Sequence, residues 1–269
     1  MRPNRVIITQ KDIMKHTFAV IILIAGLVPS AAFASDKNTS CTDTVAQSNR
    51  TTLTGSTCTV DKNGKVIESG YKNITNKNGN TSSYPAANIR IGTYVKNLEI
   101  DVATPSSVRS GLNRGISNTV FGIKYGIKNS DRFGLAARSN VDLPTSDKTF
   151  GNKGISFSGG LVGLFKPFNS LSLSASSDLQ ANAPTDKKKY GSSREAIAAD
   201  LSVLKNTHLT AGYALQTNAL GPKSDSKPTV QVGVSQNVGQ AALDLEVGRD
   251  PKRATDYDHY VNAGFTVHF

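Results

Sequence analysis

The sequence predicts an all-β protein: a transmembrane antiparallel up-and-down β-barrel of about 12 strands, with short periplasmic turns and longer extracellular loops. Three observations predict it. Apolar residues recur with a period of two in segments roughly ten residues long, which puts them on one face of a strand. Short and long connections alternate between those segments. The chain opens on an export segment and closes on an alternating strand that ends in an aromatic residue. No apolar run reaches the ~18 residues of a spanning helix, and 38% hydrophobic residues argue against global disorder. A periplasmic β-sandwich or a lipocalin-like fold is the competing architecture.

Residues 1–34 read as a signal peptide. Phe18 to Val28 is apolar and is followed by Ala32-Phe33-Ala34, an A-x-A cleavage site, and Met14 is the more natural start. The run is too short for a membrane anchor, which needs about 20 residues. Residues 35–64, rich in Ser, Thr and Asn, form a periplasmic extension or plug. Export places Cys41 and Cys58 in an oxidising compartment, which favours a disulfide over a metal or redox pair, since neither a CxxC nor an accompanying His is present.

The barrel is assigned to 65–269. After an Asp61-Lys62-Asn63-Gly64 turn, Lys65 to Ile74 is required as a first strand so that the exported N-terminus stays periplasmic. The alternation then runs through Ile89, Ile91 and Val95; Leu98, Ile100 and Val102; Phe121, Ile123, Tyr125 and Ile127; and Phe133, Leu135 and Ala137. It continues through Ile155, Phe157 and Leu161; Leu171, Leu173 and Ala175; Ile197, Ala199 and Leu201; and Leu209, Ala211 and Tyr213. Val230, Val232 and Val234, then Leu243, Leu245 and Val247, lead to the closing strand with Val261, Phe265, Val267 and Phe269. Ser193 to Leu204 also reads as an amphipathic helix on propensity. Long connections are expected at Pro105 to Gly115, Leu143 to Lys153, Leu179 to Ser192, Thr217 to Ser226 and Arg249 to Asp256, and short ones between them. With no Trp, Tyr94, Tyr125, Tyr213, Tyr257 and Tyr260 are the candidates for an interfacial girdle.

The polar faces line the lumen, and twelve strands leave a narrow or plugged pore. Arg90, Glu99, Asp101, Lys124, Arg138, Asp200, Asp244 and Glu246 point inward, beside a small polar sector of Ser156, Ser158, Gly160, Ser172, Ser174 and Ser176. The strand of Arg138 is expected to face that of Asp244, and the strand of Arg90 that of Asp200. Either opposed basic and acidic walls form a constriction that orients polar or zwitterionic solutes, or the charges form a salt-bridge network that fills and stabilises the lumen. Lys187, Lys188 and Lys189 on one extracellular loop and Arg249, Lys252 and Arg253 on another either meet lipopolysaccharide phosphates and steer anions, or are simply solvated.

The segments Ile89 to Val102 (IRIGTYVKNLEIDV), Val120 to Ile127 (VFGIKYGI), Asp142 to Lys148 (DLPTSDK) and Leu245 to Phe269 together resemble the outer-membrane transporter family labelled meta-pathway phenol-degradation-like, over roughly residues 86–269. Ser146 stands where that family often has Gly. The resemblance implies an outer-membrane channel or uptake protein for small molecules in a Gram-negative bacterium; the phenol label reflects gene neighbourhoods and names no substrate. The terminal strand, with Phe265, Val267 and Phe269, resembles the signal read by the barrel assembly machinery.

Outer-membrane lipid and lipopolysaccharide, that machinery and a small solute are the expected partners. Net charge is +11, but export and the lack of an aromatic-basic motif argue against nucleic acid. No cofactor or metal is expected, because no metal cluster, P-loop or GxGxxG occurs. Hydrolysis needs a base beside a nucleophile, and His208, His259 and His268 carry no such spacing, so no catalytic residue is assigned. A non-conducting structural or adhesive barrel is the other class, separated from a channel by solute flux.

Overall fold

A computed structural model describes residues 41, 48–50, 52–76, 79–147, 149–150, 154–185, 188–218, 226–251 and 258–269. The expected signal peptide with Met14, and Lys187, Lys252, Arg253 and Tyr257, lie outside them. In chain order the strands are β1 (Lys65–Asn76), β2 (Gly79–Tyr84), β3 (Asn88–Gly92), β4 (Leu98–Ala103), β5 (Ser107–Ser110), β6 (Asn113–Ile116), β7 (Thr119–Asn129) and β8 (Phe133–Leu143). They continue as β9 (Ser156–Phe168), β10 (Leu171–Thr185), β11 (Lys188–Leu204), β12 (Thr207–Asn218), β13 (Ser226–Val238), β14 (Ala241–Arg249) and β15 (His259–His268).

Twelve of them, β1, β3, β4 and β7 to β15, close an antiparallel barrel through a β1–β15 seam that runs from Val66↔His268 to Thr75↔His259. Lys65 and Phe269 finish the seam by exchanging backbone hydrogen bonds of 3.2 and 2.9 Å. The first strand required by topology is therefore the one that removes both sheet edges. The short turns gather at the end that holds this pair. Asn63 (φ 63°) and Asn97 (φ 61°) take the left-handed conformation at two of its turns, which Asn tolerates better than most residues.

At the opposite end the ladder rises past the barrel. β1 pairs first with β3 and then with β2, β2 pairs with β5, and β5 folds back on β6. Pro85 and Pro105, which have no N–H to give to a ladder, stand at the breaks between β2 and β3 and between β4 and β5. The connection expected as a plain loop from Pro105 to Gly115 thus holds most of a hairpin.

Two expectations are corrected here. The supposed loop from Leu179 to Ser192 is largely strand, with Leu179↔Ser193 and Ala181↔Gly191 in register. The helical alternative for Ser193 to Leu204 also fails. β11 pairs on both flanks, with β10 and β12, so sheet hydrogen bonding outweighs helix propensity.

Outward residues form an apolar belt: Ile100 beside Ile123, Val102 beside Phe121, Leu209 beside Val234, Leu243 beside Phe265. Tyr94, Tyr125 and Tyr213 are exposed, whereas Tyr260 is buried inside the barrel and donates to Gln231 Oε1 at 2.9 Å. The inward apolar residues are small, among them Val66, Ala136, Val162, Ala196, Ala198, Ala214 and Ala242. They leave room for another part of the chain.

Candidate functional site

Residues 48–50 and 52–60, on the stretch expected as a periplasmic extension or plug, run through the barrel. The segment has no regular secondary structure, so its backbone groups need partners from elsewhere, and inward charges of the wall supply them. Arg194 Nη1 donates to Leu53 O at 3.0 Å, Arg138 Nη1 to Thr54 O at 3.0 Å, Lys124 Nζ to Ser56 O at 3.3 Å and Arg90 Nη2 to Cys58 O at 3.1 Å. Two carboxylates take its N–H groups: Glu68 Oε1 accepts from Asn49 N at 2.7 Å and Glu99 Oε2 from Val60 N at 2.8 Å. Hydroxyls add Ser48 with Thr266 (2.9 Å) and Thr54 with Ser174 (2.7 Å).

Arg50 is the charged side chain by which the described segment grips the wall. Its Nε and Nη2 donate to Asp244 at 3.3 Å each, and Nη2 donates to Asn262 Oδ1 at 2.8 Å. Gly70 and Gly264 pair across the seam, and a Cβ on either would run into this guanidinium. Their missing side chains are the slot in which it lies. The Cys41–Cys58 disulfide joins the segment to residues upstream of it.

Arg90 is at the centre of the buried charge. It donates to Glu68 Oε1 at 3.0 Å and to Glu99 at 2.9 and 3.0 Å, and Lys124 Nζ lies 3.1 Å from Glu99 Oε1. Charges removed from water this fully persist only when paired and hydrogen-bonded.

Strand register arranges the inward residues of β4 to β12 in two rows. The lower row runs Glu99↔Lys124↔Arg138↔Gly160↔Asp178↔Arg194↔Gln216. Arg138 and Asp178 flank Gly160 and bridge over it, Nε to Oδ1 at 2.8 Å and Nη2 to Oδ2 at 2.6 Å; a Cβ on Gly160 would collide with the carboxylate. The upper row runs Asp101↔Gly122↔Asn140↔Ser158↔Gln180↔Ser192.

Above the segment, toward the long loops, these rows enclose a cavity of about 390 Å³ whose described lining is wholly polar, with three acids (Glu99, Asp101, Asp178) and three bases (Lys124, Arg138, Arg194). Below it, toward the short turns, lies a cavity of about 130 Å³ that reaches Lys166, Ser172, Ser174, Asp200, Ser202 and His208. There Asp200 Oδ1 (2.9 Å) and Ser202 Oγ (3.3 Å) both meet Nδ1 of His208. A nucleophile–base–acid relay uses the two ring nitrogens separately, so this is not one.

All eight charges expected in the lumen lie on inward positions, and the closed strand order sets β8 opposite β14 and β3 opposite β11 as expected, but each charge of those facing pairs meets a nearer partner. Arg138 binds Asp178, Asp244 binds Arg50, Arg90 binds Glu68 and Glu99, and Asp200 binds His208. The physical reason is reach: partners one or two strands away, or on the segment, are closer than the far wall. Glu246 accepts from Asn262 Nδ2 at 3.1 Å. Of the serine sector, Ser158 belongs to the upper row, Ser156 donates to Asp142 Oδ2 at 2.9 Å, and Ser172 and Ser174 reach the lower cavity. Arg249 ends β14, and Lys188 and Lys189 open β11. Phe265 faces outward and Phe269 is exposed beyond the end of β15. His259 and His268 pair with β1 at the two ends of the seam.

Four participants were missed: Glu68, Asp178, Arg194 and Arg50. Asp178 and Arg194 carried a signal, since each continues an inward parity already recognised, Asp178 after Ser176 and Arg194 on the parity of Asp200, and Glu68 lies on the strand that was assigned by topology rather than by alternation. Arg50 carried none, because an irregular segment has no period.

No family model and no curated protein matches the sequence. Solved structures do. The outer-membrane channel from Pseudomonas putida F1 is similar with a TM-score of 0.61 at 12% identity, over 78% of this chain and 97% of that one. The NanC porin gives 0.54 at 6% identity, over 76% and 98%. A KdgM porin in complex with disordered oligogalacturonate gives 0.50 at 13% identity, over 76% and 99%. At these identities the likeness is one of fold: the closed barrel found in outer-membrane channels and porins.

Proposed function

We propose that this chain is an outer-membrane channel or uptake protein for small molecules of a Gram-negative bacterium, closed at mid-height by its own residues 48–60. The observation that carries the reading is a cavity on each side of that segment, the upper one lined by polar residues and the lower one mostly so, within a barrel whose outward face is apolar. A lumen built only for stability gains nothing from water-accessible, hydrogen-bonding walls above and below a single constriction. In this reading 1–34 is a cleaved signal peptide, the short-turn end is periplasmic and the long-loop end extracellular. Outer-membrane lipid and lipopolysaccharide surround the belt, and the assembly machinery reads the β15 ending. The charges do not act as opposed walls; they hold the segment, and solute passes where it yields. The function is passage rather than catalysis, and nucleic acid has no part in it.

Single-channel conductance in a planar bilayer tests this. The native chain is expected to show rare, brief steps, and Arg50→Ala frequent ones, because the substitution removes the bonds to Asp244 and Asn262. The filled mid-height favours one other reading, a non-conducting structural or adhesive barrel. Silence from both proteins, each retaining the heat-modifiable gel mobility of a folded barrel, would establish that reading instead.

A further inference from the structure

The upper cavity has a chemistry of its own. Its upper row presents Asn140, Ser158, Gln180 and Ser192 on four consecutive strands, so hydroxyls and amides stand about 4.8 Å apart around the wall. Amides and hydroxyls both donate and accept. Most of the charges already have partners: Arg138 meets Asp178 through two bonds, Glu99 is held by Arg90 and Lys124, and Arg194 donates to Leu53 O, while Asp101, beside Gly122 at the β4 end of the upper row, has no ion pair among the described residues. Along the stretch from Asn140 to Ser192, an anionic or cationic solute would have to compete with those pairs, in a cavity whose acids and bases balance. An apolar solute would leave the amides and hydroxyls of this row without a solute partner, and a buried polar group left without a partner is costly. A volume of about 390 Å³ falls in the range of small-molecule sites.

We propose that this cavity is a binding site for an uncharged polyhydroxylated solute of sugar or polyol class, held by the hydroxyl and amide row above the Arg138–Asp178 pair. The proposal rests on the channel reading, of which it names the substrate class.

Maltose is the probe, with lactobionate as its anionic counterpart and glycylglycine as the zwitterion. Saturation-transfer NMR on the folded full chain, in a polyoxyethylene rather than a glycoside detergent, reports binding without requiring an open passage. Maltose is expected to bind in preference to both comparators. Gln180→Leu should weaken it roughly three- to tenfold, the worth of one or two hydrogen bonds, while Leu179→Ala on the outward face should leave it unchanged. Maltose binding indifferent to Gln180→Leu, or tighter binding of lactobionate or glycylglycine, overturns the proposal. The bilayer measurement keeps the two ideas apart. No maltose binding with conductance from Arg50→Ala removes the substrate class alone, and no binding with no conductance removes the channel with it.

Discussion

Arg90 is wholly buried and ties three parts of the chain together: β1 through Glu68, β4 through Glu99 and the inner segment through Cys58 O. Its two carboxylates are not equivalent. Glu99 answers two cations, Arg90 and Lys124, and also receives Val60 N–H, whereas Glu68 answers Arg90 and receives Asn49 N–H. Neutralising either leaves the same net charge, but only the loss of Glu99 leaves a buried cation, Lys124, with no ion pair among the described residues. Glu99→Gln is therefore expected to cost about 3–5 kcal/mol, the scale for breaking a buried pair, and Glu68→Gln less. The urea midpoint of the heat-modifiable band reads both; equal losses would mean that Lys124 draws its stabilisation from elsewhere.

Strand β9 shows how much a single missing Cβ decides. Gly159 faces outward and Gly160 inward. A Cβ at Gly159 meets only Arg138 O at an ordinary 3.6 Å, but one at Gly160 collides with Ser177 O and the Asp178 carboxylate. Gly160→Ala should thus break the Arg138–Asp178 bridge and loosen Thr54 from the wall, lowering stability by about 1–3 kcal/mol as overpacking does and raising conductance. Gly159→Ala should do neither. A matching loss in both variants would mean that glycine at this place serves the bend of the strand rather than the bridge. The same element explains what the sequence disclosed. Period two gave the inward face of eleven of the twelve barrel strands, all but β1, because a barrel wall has one wet side and one apolar side along its whole height. It did not show where β10 and β11 end, since Leu179 to Ser192 loses its apolar alternation above the belt while the ladder continues. Nor did parity reveal which charges meet. The bridge over Gly160 depends on register between β8, β9 and β10, and register is set by pairing in space.

The barrel and its inner segment are held by different forces, and this makes them separable. The wall is closed by the backbone ladder from Val66↔His268 to Thr75↔His259. The segment is held by side chains reaching its carbonyls from β3, β7, β8 and β11, and by the link between Cys41 and Cys58. Because those cations bind mainly backbone carbonyls, and Arg50 is the one charged side chain that the described residues 48–60 bring to the wall, the segment carries no periodic motif and its composition reads only as a polar leader. The disulfide closes a loop across a sequence separation of 17. On the chain-entropy scale such a loop is worth about 3 kcal/mol against the released state, roughly a hundredfold in the equilibrium between seated and released segment. Adding a thiol reductant to the folded protein in a planar bilayer should accordingly raise its open probability by up to about a hundredfold. The heat-modifiable mobility should stay unchanged, since the seam contains no cysteine. An open probability that ignores the reductant, in a chain shown by alkylation to be reduced, would mean that the cations alone keep the segment seated and that solute passes around it.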